Sequence, residues 1–247
     1  MFTTYTKRHS IDNYGGISWS YGCGYEEVVQ NGIPTFYAVD IGTSRVVKFD
    51  LKWNYQTYYN LTLPGAYTLK DVNGYFYFSA NGYFYKTDTS FNVIHYESNP
   101  GACYRQFAYD SSNDLFYVGS CALSKLTLYS ANPSFVRSIS LTSPPYAVNI
   151  YNGRVYFTLL GTYQIGNFPL SDSTNIIYQT GVCLNTVSLF IDSSMGYLVA
   201  SCDNTFRVDL IDTSGAYLQS SSNPFIVAFD KYQRLIIHTR TSIDIYY

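Results

Sequence analysis

Ala66-Tyr-Thr-Leu-Lys-Asp-Val72, Asn73-Gly74, Tyr75-Phe-Tyr-Phe-Ser-Ala80: this stretch reads as a strand, a two-residue turn and a returning strand. Asn-Gly suits a tight hairpin because both positions accept positive φ. The same pattern, a turn followed by an apolar strand that mostly carries a tyrosine, recurs along the chain. The turns are Asn31-Gly32, Asn73-Gly74, Asn113-Asp114, Asn152-Gly153, Met195-Gly196 and Gln233-Arg234. The strands after them centre on Tyr37, Tyr77, Tyr117, Tyr156, Val199 and Ile237, at steps of 40, 40, 39, 43 and 38 residues. A period in this range, with strand patterning throughout, predicts a β-propeller with one four-stranded blade per repeat. Six such units fill the 247 residues as a single domain, 1–247, with no composition break or linker at which to divide it.

In the second repeat, residues 66–72 form the inner strand, 75–80 return, and Gly82–Asp88 and Val93–Glu97 complete the blade. Inner strands read as nearly continuous apolar runs, such as Val148-Asn-Ile-Tyr151 and Phe225-Ile-Val-Ala-Phe229. Blades packed face to face require apolar residues on both sides of a strand. The sixth repeat supplies three strands (224–230, 234–239, 241–246) and ends. Residues 1–24 hold spare strand material, Phe2–Thr6 or Ile17–Tyr21, to supply the missing outer strand. Pairing the two ends in one blade removes open edges. The expected fold is therefore all-β: a six-bladed propeller of four-stranded antiparallel blades, the last closed by the N-terminal segment.

Composition agrees. There are 28 Tyr and 16 Phe, and 13% of residues are charged, against about 25% in typical soluble domains. Tyr, Phe, Val, Ile and Thr favour half-buried pleated surfaces. A net charge of −2, with Lys7-Arg8-His9 the one small basic cluster, gives no footprint for nucleic acid. No apolar run is long enough to be a transmembrane helix, and the first ten residues lack a signal-peptide core. Low charge with abundant Ser, Thr, Asn and Tyr points to an extracellular, cell-surface or virion-surface location. Asn60-Leu61-Thr62 is the single glycosylation sequon.

Tyr37-Ala-Val-Asp-Ile-Gly-Thr-Ser-Arg-Val-Val-Lys-Phe-Asp50 resembles the core of an NHL repeat, in which a strand ending in Ala-Asp precedes an Arg-Val-centred third strand. Asn223-Pro-Phe-Ile-Val-Ala-Phe-Asp230 and Leu63-Pro-Gly-Ala-Tyr67 resemble that family's proline-led approach to the inner strand. Ser79-Ala80 and Gly119-Ser120 depart from the pattern where Asp is expected. YWTD and gluconolactonase-like propellers are relatives, and any of them implies six blades. Gluconolactonase-like propellers hold a divalent metal in the channel with Glu, Asn and Asp. Glu26, Asn149 and Asn185 would be the corresponding set here, for a calcium-dependent lactonase or esterase.

Cys103 and Cys121 lie nine residues either side of a hairpin centre near residue 112. That spacing places them face to face across an antiparallel pair, within reach of a disulfide. Cys183 and Cys202 mirror them, with a bulge needed to bring them level. Cys23 has Ile41 at its partner position and is expected to be unpaired. The competing reading is that all five are small buried hydrophobes. No Cys-x-x-Cys or His-rich spacing suggests zinc.

Tyr25, Tyr67, Tyr104, Tyr146, Leu184 and Phe225 lead into the inner strands at steps of 42, 37, 42, 38 and 41. They form either a ring of stacking faces around a central funnel or a packing layer between blades. Beside them Glu26, Glu27, Arg105, Asn149 and Asn185 do not repeat, and departures from symmetry are where a site is grafted. A structural Glu26–Arg105 pair across the channel is an alternative. The candidate ligand-binding set is Tyr25, Glu26, Tyr67, Tyr104, Arg105, Tyr146, Asn185 and Phe225. No catalytic set stands out: His9, His95 and His238 occupy unrelated repeat positions, and Asp110, Asp114 and Asp230 sit beside turns. The expected function is non-enzymatic recognition or adhesion, binding a protein or glycan through one loop-rich face. The alternatives are the calcium-dependent hydrolase and a structural component of a virion or surface assembly.

Overall fold

The computed structural model describes residues 7–12, 25–30, 33–40, 42–63, 65–180, 186–192, 196–202, 207–213, 217–222, 226–229, 235–238 and 242–246. Among them there are strands and turns and no helix, so none is long and apolar enough to cross a membrane. After β1 (Lys7–Asp12), the first four-stranded sheet runs β2 (Tyr25–Gln30), β3 (Ile33–Asp40), β4 (Arg45–Phe49), β5 (Tyr55–Asn60). A six-stranded sheet follows in chain order: β6 (Thr68–Val72), β7 (Tyr75–Thr87), β8 (Val93–Asp110), β9 (Leu115–Ser120), β10 (Lys125–Ser130), β11 (Phe135–Ser140). The next two sheets have four strands each. They are β12 (Pro145–Tyr151), β13 (Arg154–Leu159), β14 (Gln164–Pro169), β15 (Ile177–Thr180), then β16 (Thr186–Asp192), β17 (Tyr197–Cys202), β18 (Arg207–Asp212), β19 (Tyr217–Ser222). The last is ordered β1-β22-β21-β20, from β20 (Ile226–Phe229), β21 (Leu235–His238) and β22 (Ser242–Tyr246).

The six-stranded sheet contains two successive units of the same kind as the others. Tyr77 and Phe84 have ring centroids 6.2 Å apart, and Phe78 and Tyr85 5.0 Å. Residues seven apart in an extended strand would stand about 23 Å apart. β7 therefore doubles back on itself, at Asn81-Gly82, where Gly82 takes φ 73°. β8 likewise serves two partners, pairing first with β7 and then with β9, with Gly101 at φ 90° between. The four strands expected in this repeat are present; its turns are too short to interrupt the ladder.

Burial refines the expected pattern. Continuous buried runs belong to the second strand of each unit: Phe36–Asp40, Phe116–Ser120 and Val155–Leu159. Innermost strands are only partly buried; in β12, Val148 is covered while Asn149–Tyr151 are half-buried. The reason is geometric, since one face of an innermost strand looks into a central space rather than at a neighbouring sheet. Outer strands are largely exposed, as in β5 and β11.

The recurring tyrosine has a structural explanation. Tyr37 packs on Phe76 (5.1 Å between ring centroids) and Phe91 (5.7 Å), Tyr77 on Phe116 (4.4 Å), and Tyr117 on Phe168 (6.2 Å). Each reaches from one unit into the next. Tyr77 also donates its hydroxyl to the Ala131 carbonyl at 2.6 Å, and Tyr156 to Thr213 at 3.3 Å. Burial, with the Asp114 charge adding to it, pushes the Tyr77 phenol up to about 12, so it remains a donor. A long, rigid ring with a polar tip suits a position apolar along its length and wet or carbonyl-rich at its end.

Asp50-Leu-Lys-Trp-Asn54 and Asp88-Thr-Ser-Phe-Asn92 close two outer turns identically. Each carboxylate accepts the N–H two residues on (Lys52 2.8 Å, Ser90 2.9 Å), the N–H four on, and that Asn's side-chain amide (all 2.9 Å). Trp53 and Phe91 take φ 63° and 65° and bury their rings. At Asp88 the Asn92 side chain leads in holding the carboxyl below its ordinary range; at Asp50 slight burial opposes the same bonds and is outweighed. A depressed carboxyl contributes stability above its unfolded value of about 4, lost as pH falls through the folded one. Asp88→Asn should therefore lower the melting temperature near neutral pH and bring it level with wild type in strong acid. Parallel acid profiles for the two proteins would contradict this.

β1 pairs antiparallel with β22, placing Ile11 opposite Ile243 and Asp12 opposite Ser242. The pairing segment lies between the two expected from sequence; Phe2–Thr6 and Ile17–Tyr21 are outside the described residues. Lys-Arg-His-Ser-Ile-Asp is mostly polar, so apolar content is no guide to it.

Candidate functional site

Strands β2, β6, β8, β12 and β16 each contribute to a cavity of about 470 Å³. Glu26, Lys70, Gln106 and Asn149 bring polar groups to its wall, and Tyr25 and Phe190 aromatic ones. Glu26 pairs with Lys70 on the neighbouring inner strand at 3.5 Å. Burial pushes the Glu26 carboxyl up, with Lys70 drawing it partly back. Glu26 is paired with Lys70 rather than with Arg105, the alternative expected from sequence.

Gln106 uses both ends of its amide on one residue across the cavity. It donates to the Leu189 carbonyl at 2.9 Å and accepts the Leu189 N–H at 3.0 Å. Asn149 donates to the same carbonyl at 3.2 Å, while its Oδ1 accepts the Ile150 N–H at 2.8 Å. Three inner strands, β8, β12 and β16, are thereby stitched together. Glu26 and Asn149 do not fit a shared calcium ion: one is committed to Lys70, and the other's oxygen to backbone. Asn185, the third expected ligand, lies outside the described residues.

Next to the cavity-lining Gln106 in sequence, the Arg105 guanidinium contacts two tyrosines, its Cζ 3.7 Å from the Tyr67 ring centroid and 5.3 Å from that of Tyr146. The Tyr67 hydroxyl donates to Asn81 Oδ1 at 3.2 Å, and Ser79 Oγ donates to the Arg105 carbonyl. Two residues earlier, Cys103 is joined to Cys121, with Cα atoms 5.1 Å apart. This is the disulfide expected from the hairpin spacing. Of the other pair, Cys202 ends β17 opposite Thr186, while Cys183 and Cys23 are outside the described residues.

The expected aromatic ring divides. Tyr67 and Tyr146 stand against Arg105. Tyr104 is fully buried, its hydroxyl bonded to that of Tyr129 and accepting from Asn99 Nδ2 at 2.9 Å. Tyr25 packs on Trp53 (5.5 Å between centroids) and Phe36 (6.0 Å) while lining the cavity. Leu184 and Phe225 are outside the described residues. Register explains Tyr104: Tyr104↔Ser120 and Phe107↔Val118 enclose a bulge, as do Pro145↔Leu159 and Val148↔Phe157. Counting from these pairs, Arg105 rather than Tyr104 is the counterpart of Tyr146. Sequence reading also missed Lys70 and Gln106, both non-repeating polar residues on inner strands and detectable by the test that found Glu26. Asp110 and Asp114 satisfy their own turn, through Ser112, Asn113 and Tyr109.

No protein-family model and no curated protein sequence matches this chain. Solved structures do. A streptogramin B lyase superposes with a TM-score of 0.68 at 14% identity, covering 90% of this chain and 78% of the lyase. Virginiamycin B lyase from Staphylococcus aureus gives 0.69 at 11%, covering 89% and 78%. BBS1N in complex with ARL6DN gives 0.69 at 10%, covering 98% and 96%. The fold is a β-propeller. At these identities the likeness carries the architecture alone, and the units described above are its blades.

Proposed function

We propose that the chain is a six-bladed, NHL-repeat-like propeller, closed by β1, that acts as a non-enzymatic recognition module outside the cell or on a particle surface. Its ligand, a protein or a glycan, binds at the Arg105 rim of the channel. One observation carries this reading: Arg105 is held against Tyr67 and Tyr146 and makes no ion pair among the described residues. An arginine positioned by stacking, with no internal acid to satisfy it, is arranged for an incoming group. BBS1N, a propeller of similar extent, is known bound to a protein, which agrees with this use of the fold. The engaged state of Glu26 and Asn149 favours binding over calcium chemistry. Screening the protein against glycan and protein arrays, with and without calcium, tests the reading. Calcium-independent binding weakened by Arg105→Gln is expected. Calcium-dependent lactone hydrolysis with no ligand captured would replace it.

A further inference from the structure

Resting on that reading, we propose that the Arg105 rim recognises a carboxylate carried by an acidic sugar. The ring contacts with Tyr67 and Tyr146 use no N–H donor of the guanidinium and leave its terminal edge for a ligand. That edge presents parallel N–H donors whose geometry matches a planar carboxylate. Arg105 Nε is buried and has no acceptor among the described residues.

Of the acids in the cavity wall, Glu27 lies beside Glu26 and makes no ion pair with Arg105. Glu26 pairs with Lys70, and Asp114 accepts the Tyr109 hydroxyl at 2.6 Å. The arginine is also held in place. Its carbonyl takes the Ser79 hydroxyl, it sits in the bulge between Tyr104 and Phe107, and the Cys103–Cys121 disulfide anchors the strand two residues away. Little reorganisation is then needed on binding.

Size selects the carrier. Gln106, the next residue, lines the cavity of about 470 Å³, which lies within the range of small-molecule sites. Cross-channel bonds from Gln106 and Asn149 to Leu189 brace its walls. A compact sugar ring enters such a space with its carboxylate on Arg105 and its hydroxyls toward Lys70 and Glu26. An extended peptide would lie across the rim and leave the cavity unused.

Titration calorimetry with glucuronic acid, glucose, inorganic phosphate and a blocked glutamate peptide tests this. Glucuronic acid should bind at least about tenfold more tightly than the other three, reflecting a charge-assisted bidentate contact that a neutral ring lacks. Arg105→Gln should abolish that preference, and Arg105→Lys should retain only part of it. Matching melting curves would establish that both variants are folded. Equal binding of glucuronic acid and glucose overturns the inference, as does tighter binding of phosphate or of the peptide. A neutral glycan or protein ligand insensitive to Arg105→Gln would overturn it while leaving the recognition module standing. Failure of every array and titration would remove both.

Discussion

A chain lacking residues 1–12 should melt far below the full-length protein, or lose its cooperative unfolding transition. β1 makes five cross-strand pairings with β22, and such pairs contribute roughly 0.2–1 kcal/mol each. A few kcal/mol is a large share of the 5–15 kcal/mol typical of a domain. The truncation also exposes the backbone edge of β22, an invitation to aggregate. If β1 closes a ring, its loss further frees the last sheet from the first residues of the chain and opens the circle. Urea unfolding followed by circular dichroism measures the effect. A midpoint unchanged by the truncation would show that β1 is dispensable for stability.

Replacing both Cys103 and Cys121 by Ala should lower stability by about 3 kcal/mol, the loop-closure entropy expected for a bridge of this span. The two cysteines are 18 residues apart in sequence and directly opposed across β8 and β9, where the Cys121 N–H also bonds the Cys103 carbonyl at 2.8 Å. The backbone bond survives the substitution, so the loss reports the cross-link itself. A second effect follows from position. Arg105 lies two residues beyond Cys103, in a bulge that ladder pairing does not hold. The double variant should therefore also weaken ligand binding at the rim, whereas a cross-link elsewhere in the fold would change stability alone. Unfolding free energy and glucuronic acid affinity, measured on the same variant, separate the two. No change in either would remove the bridge from both roles.

Repetition made the architecture readable. Tyr37, Tyr77, Tyr117 and Tyr156 return every forty residues or so because each must reach into the next blade, and a contact made once per blade recurs once per blade in sequence. The Cys103–Cys121 bridge was readable for a related reason: equal distances from a hairpin centre place two residues opposite each other. The strand that pairs with β22 falls at Lys7–Asp12, inside the N-terminal segment expected and between the two stretches named, because its residues are mostly polar and carry little apolar signal.

What the linear chain determined, then, was whatever depends on spacing along it: strands, turns, the blade repeat and one cross-link. Tertiary structure alone decided the site. Tyr67, Tyr104 and Tyr146 look equivalent by count, yet Tyr104 pairs with Ser120 as Pro145 pairs with Leu159, so Tyr104 turns into the core and Arg105 takes the position of Tyr146. A one-residue offset reverses which face a side chain occupies. Lys70 meets Glu26 on the neighbouring inner strand, and Gln106 meets Leu189 across the cavity, only once the blades stand beside one another.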